Sequence, residues 1–201
     1  MAIIISLTVH EFAHAVMADR LGDSTPRRHG RLTLNPMVLF KAHPFGALIV
    51  PLLGAFQGFL IGWAATPVNP AQVRRSISLR KAEFLIAFAG PASNIVLAVI
   101  SAFIWVGLYR LELPVAEPFE QLARLMVFAN IFLALLNLMP IPPLDGFTVL
   151  RTLSPKSPVI PFIEQYSLII LLLFFIYAGR IFQPVMGMTT KALSWLLIAT
   201  T

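Results

Sequence analysis

The stretch Ala2-Ile3-Ile4-Ile5-Ser6-Leu7-Thr8-Val9-His10-Glu11-Phe12-Ala13-His14-Ala15-Val16 decides the fold, because it sets two imidazoles and a carboxylate inside an apolar run. The same apolar character continues along the chain, which is 58% hydrophobic with a mean hydropathy of +0.82, far above soluble chains. The run therefore reads as membrane-embedded, and an ionisable group at that depth is costly enough to be functional by default. In a helix, His10 and His14 lie about 40° apart on one face and roughly 6 Å apart along the axis. Both rings can reach one ion. Glu11, about 100° round from His10, stands beside that ion and can take a proton from a water it activates, the task this spacing assigns to the carboxylate. The bland alternative is that the three side chains merely satisfy one another in a helical core. The hydrocarbon setting weighs against it, since unpaired polar groups cost more where water is absent.

Composition narrows the classes further. The 201 residues suit one domain or a small bundle, and no internal repeat or long linker divides them, so 1–201 reads as a single integral-membrane domain. There is no cysteine, which excludes disulfides and thiolate metal sites and leaves histidine and carboxylates as ligands. The net charge of +6 comes from short basic clusters between apolar segments. That pattern fits membrane orientation and a lipid bilayer as surroundings, not a nucleic-acid partner. No basic stretch precedes the first segment, and it carries the candidate site, so it is expected to be retained and not cleaved as a signal peptide.

Apolar stretches run over roughly 1–18, 44–66, 82–109, 125–139, 159–178 and 184–199, each compatible with all or part of a span. The fold class expected is an all-α polytopic membrane protein, a bundle of about five transmembrane helices with a re-entrant or β-hairpin element after the first. Loop 19–43 holds Arg20, Arg27, Arg28, Arg31 and Lys41, and loop 67–81 holds Arg74, Arg75, Arg80 and Lys81, whereas 110–124 carries Glu112, Glu117 and Glu120. The positive-inside rule makes the first two cytoplasmic and the third external. Segment 44–66 then has to dip in and return, and Pro51 among Gly46, Gly54, Gly58 and Gly62 invites such a bend. A spanning helix kinked at Pro51 remains the alternative. In this topology the first segment and 125–139 both run inward, which brings Asp145 to the level of the histidines, at the cytoplasmic side of a cell membrane.

A catalytic zinc usually takes three protein ligands and keeps one position for water. The position six residues after His14 is Arg20, not histidine, and the next glutamate after Glu11 is Glu83. His29 and His43 lie in the basic loop and read as solvated or structural. Asp19 and Asp23 read as surface or capping acids. Glu112, Glu117 and Glu120 fall on the far side, and Glu164 opens a later helix. Asp145 remains, following Pro140, Pro142 and Pro143, which forbid an ordinary helix and aim the carboxylate from a stiff turn.

His10-Glu11-Phe12-Ala13-His14, Ala89-Gly90-Pro91-Ala92-Ser93-Asn94 and Asn137-Leu138-Met139-Pro140-Ile141-Pro142-Pro143-Leu144-Asp145-Gly146 together resemble the motifs of the site-2 protease family of intramembrane zinc metalloproteases (peptidase family M50), and the chain looks like a short, minimal member. The resemblance covers a three-helix catalytic core, roughly 1–150, and leaves 151–201 as C-terminal transmembrane helices. It implies that His10, His14 and Asp145 bind one zinc ion, that Glu11 is the general base, and that Asn94 and Asn137 lie near the site and position substrate. Read without the resemblance, Gly90 serves close helix packing and Asn94 an interhelical hydrogen bond. The family also has a β element after the zinc helix. Gly30 to Asn35 alternates like a strand and Gly46 to Val50 could be another, forming an edge to which a substrate peptide adds. Where short relatives carry a His-x-Asp-Pro-like signature, this chain reads Phe40-Lys41-Ala42-His43-Pro44, a departure that leaves His43 without an assigned role.

The expected function is hydrolysis of peptide bonds in or near the transmembrane segments of protein or peptide substrates, as in regulated intramembrane proteolysis. The rival is a divalent-metal transporter built on the same His/Asp site. The few acids available to line its outer half weigh against that rival, and an intact Glu11 weighs against an inactive relative. Nothing in the sequence sets the oligomeric state.

Overall fold

The computed structural model describes residues 1–42, 66–111 and 116–199. Among them are eight α-helices: α1 (Ala2–Leu21), α2 (Thr25–Arg28), α3 (Pro36–Ala42), α4 (Leu79–Leu111), α5 (Glu117–Asn137), α6 (Asp145–Leu153), α7 (Val159–Gln165) and α8 (Ser167–Ala199), with a 3-10 turn at Pro70–Gln72. Four of them, α1, α4, α5 and α8, are long and apolar enough to cross a membrane. The expected count of about five thus stands at four among the described residues.

Contacts fix the relative directions. Ala18 and Leu21 near the end of α1 pack on Ala82 and Ile86 near the start of α4, so these helices are antiparallel. Trp105 and Val106 late in α4 meet Ala123 and Val127 early in α5, a second antiparallel pair. It follows that α1 and α5 run the same way, as the charge pattern requires, and the Ser6 hydroxyl lies against the Met126 sulfur at 3.8 Å. Small residues let the backbones approach: Ala15, Ala18 and Ala82 are wholly covered, as expected where dispersion and hydrogen bonding replace the hydrophobic effect.

The end of α1 is closed by Gly22 in the left-handed region (φ 110°). The Gly22 amide returns to the Asp19 carbonyl and the Asp23 amide to the Ala18 carbonyl, both at 3.0 Å, the double closure that satisfies otherwise orphaned carbonyls. The loop before α4 is then pinned to this corner. Asp23, expected as a surface or capping acid, is wholly buried. It caps from inside, accepting from the Thr25 amide at 2.9 Å and the Asn69 amide at 2.5 Å, and the Arg74 amide donates to the Leu21 carbonyl at 3.0 Å. Asp19 does lie outward, paired with Arg27 at 2.7 Å.

Helix α6 is held on the first turns of α4. The Arg80 guanidinium donates to the Thr152 carbonyl and, at 2.9 Å, to the Leu153 carbonyl, which satisfies the open end of α6. Arg151 reaches Glu83 at 3.8 Å. Helix α8 packs on the end of α5 and the turn after it through Phe174, Ala178 and Phe182 against Leu136 and Ile141, and most of its remaining apolar surface is exposed.

Two expectations are corrected. The two C-terminal helices expected at 159–178 and 184–199 are a short α7 and one continuous 33-residue α8 that runs through Pro184. A proline forfeits one hydrogen bond, while in hydrocarbon every other backbone group still demands its helical partner. Gly30 to Asn35 forms no strand, and no strand occurs among the described residues. Gly30 turns with φ 64°, and the Asn35 carboxamide receives the Met37 amide at 3.0 Å, so Asn35-Pro36 starts α3 by side-chain capping and a proline in the first turn. His29, read as solvated or structural, is exposed and bonds the Thr25 carbonyl at 2.9 Å. His43, the strand expected at Gly46 to Val50, and the question of whether 44–66 dips or spans lie outside the described residues, Thr66 apart.

Candidate metal centre

Three donor atoms converge between α1 and the start of α6. His10 Nε2 and His14 Nε2 are 3.0 Å apart, and Asp145 Oδ2 lies 3.1 Å from the first and 3.2 Å from the second. His10 and His14 are buried and Asp145 is partly buried.

Each ring is aimed by its other nitrogen. His14 Nδ1 donates to the Ile86 carbonyl at 2.7 Å, an acceptor only, so its proton sits on Nδ1. His10 is fixed by a longer chain. The Met126 carbonyl accepts from Asn130 Nδ2 at 2.8 Å, which turns Asn130 Oδ1 toward Asn94 Nδ2, also at 2.8 Å. Asn94 Oδ1 must then face His10 Nδ1, at 2.6 Å, and that nitrogen has to be the donor. Asn94 and Asn130 are wholly buried, so nothing competes with this orientation. Both Nε2 lone pairs consequently face each other and a carboxylate oxygen that has no hydrogen-bond partner of its own. Three electron-rich atoms crowded within hydrogen-bond distance with no proton assigned between them call for a cation, the arrangement that outer partners of metal-bound histidines enforce.

The carboxylate is delivered by the proline-rich turn. Leu144 is extended (φ −73°, ψ 153°) and Asp145 is the first residue of α6, where the helix dipole favours a negative charge. The turn folds back so closely that a side chain on Gly146 would collide with the Leu138 carbonyl.

Gly90 supplies the other wall. A Cβ there would lie 2.6 Å from His10 Cε1 and Nε2 and would strike His14 Nε2 as well. Gly90→Ala is expected to displace both rings and weaken divalent-metal binding at least tenfold, the scale set by losing an outer partner. Chelator-competition titration checks it, and parental affinity in the variant would remove the steric role.

Glu11 lies on the same helix, buried at 8% exposure, and lines a pocket with Phe12, Arg31 and Thr66. Asn137 bonds back to the Leu133 carbonyl of its own helix at 3.0 Å. Sequence reasoning missed Asn130, the Ile86 carbonyl and Thr66. For Asn130 the available signal was a lone amide amid Val127, Phe128, Ala129, Ile131 and Phe132, since polar residues in a span seldom lack a task. A backbone carbonyl leaves no such mark.

The profile of peptidase family M50 matches residues 1–114 and 106–178, a span that contains every one of these groups. The chain belongs to peptidase family M50. Among the relatives of this M50 member is YwhC of Bacillus subtilis (strain 168), a zinc metalloprotease by name, 34% identical over 181 residues that cover 87% of the chain and 78% of the relative. Rip2 of Mycolicibacterium smegmatis (strain ATCC 700084 / mc(2)155), likewise a zinc metalloprotease by name, is 33% identical over 156 residues covering 77% of the chain. The matched part is 56% of Rip2's own length. No solved structure gives a significant match. The family and the four apolar helices make the chain an integral membrane metalloprotease.

Proposed function

We propose that the protein is a zinc endopeptidase that hydrolyses peptide bonds in or near the membrane-spanning segments of its substrates, with His10, His14 and Asp145 as ligands of one zinc ion and Glu11 as general base. The convergence of two imidazole nitrogens and a carboxylate oxygen at 3.0 to 3.2 Å carries this reading. A tetrahedral site with metal–nitrogen bonds of about 2.0 Å has ligand separations of about 3.3 Å, so the set fits without rearrangement. Charge fits as well, because a divalent cation balances the Asp145 and Glu11 carboxylates where unpaired charge is costly.

When bound, zinc would polarise the scissile carbonyl and render a water acidic enough to ionise near neutral pH. Glu11 takes the water's proton and delivers it to the leaving amine. Asn94 acts by fixing His10, and Asn137 keeps its assignment as a substrate contact. The basic residues Arg27, Arg28, Arg74, Arg75 and Arg80 cluster around the joined ends of α1 and α4, next to α6, while Glu117 and Glu120 start α5 at the other end. By the positive-inside rule the site faces the cytoplasm.

A transporter needs a polar route on both sides of the ion, and beyond the histidines the helices are closed by Ser6, Asn94 and Asn130, all at 0% exposure. Family membership disfavours it too. The deciding experiment incubates the purified chain with a synthetic membrane-spanning peptide and maps the products by mass. Cleavage is expected to stop on chelation and return with zinc. Cleavage indifferent to chelation, or zinc flux into vesicles without cleavage, would overturn the proposal.

A further inference from the structure

Glu11 needs a donor, because a buried carboxylate without one is expensive. Thr66 provides it. Its hydroxyl lies 2.7 Å from Glu11 Oε2 and 3.1 Å from the Glu11 carbonyl. A hydroxyl has a single proton, and the shorter contact to a charged acceptor is the stronger claim on it. Glu11 Oε1 has no hydrogen-bond partner among the described residues.

Thr66 arrives from a loop that is itself fixed. It precedes Pro67, which restricts its backbone to extended conformations. Three residues further on, the Asn69 amide is tied to buried Asp23, and beyond it the Arg74 amide is tied to the Leu21 carbonyl. The hydroxyl therefore reaches across 55 positions of sequence to one turn of α1 from a loop anchored at that helix's end.

We propose that Thr66 is a positioning residue for the hydrolysis. It holds Glu11 Oε2, so that Oε1 is the oxygen turned to the reacting water. This rests on the assignment of Glu11 as general base. In the step it serves, the water O–H bond breaks as its proton moves to Oε1, and its oxygen bonds the scissile carbon as the carbonyl π pair moves onto the carbonyl oxygen, to return when the leaving group departs. The same proton then passes from Oε1 to the leaving nitrogen as the C–N bond breaks. Holding one oxygen removes the carboxylate rotation that would otherwise have to be frozen in each turnover, and small losses of orientation are costly in rate.

A mere loop staple would need only the Glu11 carbonyl, and the two roles separate by experiment. With the full-length chain and a synthetic membrane-spanning peptide, Thr66→Val, which keeps the shape and removes the hydroxyl, is expected to lower kcat at least about tenfold. KM and zinc content should stay at parental values, and Thr66→Ser should recover most of the lost rate. Parental kcat in Thr66→Val would overturn the proposal, as would a Ser variant as impaired as Val or a loss that follows falling zinc content. A second readout needs no turnover. Thr66→Val should lower the unfolding midpoint more in the parent than in a Glu11→Ala background, and equal shifts would refute the contact. A parent that binds zinc and shows this coupling but cuts nothing would place the failure in the protease reading, not in the pairing of Thr66 with Glu11.

Discussion

Glu11→Gln is expected to cleave a membrane-spanning peptide about a thousandfold more slowly than the parent while binding zinc with parental affinity. General-base transfer typically contributes 10²–10⁴ in rate, and the amide cannot accept a proton from water at neutral pH. The shape is retained, and the amide oxygen can still receive the Thr66 hydroxyl now 2.7 Å from Oε2, so neither the loop anchored at Asp23 nor the helix should move. The proposed zinc donors are His10, His14 and Asp145, whose ligand atoms lie together, and none of them is altered. Product formation followed by mass spectrometry, with metal content on the same preparation, checks both halves. Undiminished cleavage would take Glu11 out of the chemistry.

Much of the candidate site was legible in the sequence, in that the three side chains it singled out lie together. Histidines four apart on an apolar helix leave few other readings, and Asp145 emerged by excluding every other carboxylate and by the level at which the charge pattern placed it. What could not be read was the apparatus that aims these groups. The tautomer of His10 depends on Asn94, then Asn130, then a carbonyl of α5, a chain of contacts between helices that no spacing rule encodes. His14 depends on the Ile86 carbonyl, which every residue type possesses.

The fold shows the same division. The spans at 82–109 and 125–139 appeared as α4 and α5 with ends shifted by a few residues or more, because apolar runs mark a helix's middle better than its ends. The stretches at 159–178 and 184–199 read as separate helices, yet most of both falls in one helix that runs through Pro184, since the membrane enforces backbone pairing around it. Alternation at Gly30 to Asn35 read as a strand, yet a strand needs a partner, and the local capping chemistry of Asn35 and Pro36 prevailed. Asp23 reads as a surface or capping acid and caps, but its burial was not legible, because its partners, the Thr25 and Asn69 amides, are again backbone groups.

Asp145→Ala is the second substitution with a large expected effect. It removes the one donor that comes from outside α1, the oxygen that lies 3.1 and 3.2 Å from the two rings. Two histidines then hold the ion alone, and the two-residue set lacks the third ligand of a catalytic zinc site. Removing an outer partner of a metal site typically costs 10–100-fold in affinity, and removing a ligand should cost more than that. His10 and His14 keep their partners at Asn94 and Ile86, so the helices should stay packed and the loss should appear in metal binding, not in unfolding.

Zinc stoichiometry of the purified chain, measured beside that of Asp145→Ala at equal free zinc, tests the convergence of these three side chains most directly. One ion per chain in the parent and little or none in the variant is the result expected. Equal occupancy in the two proteins would show that the carboxylate of α6 is not a ligand and would contradict the account.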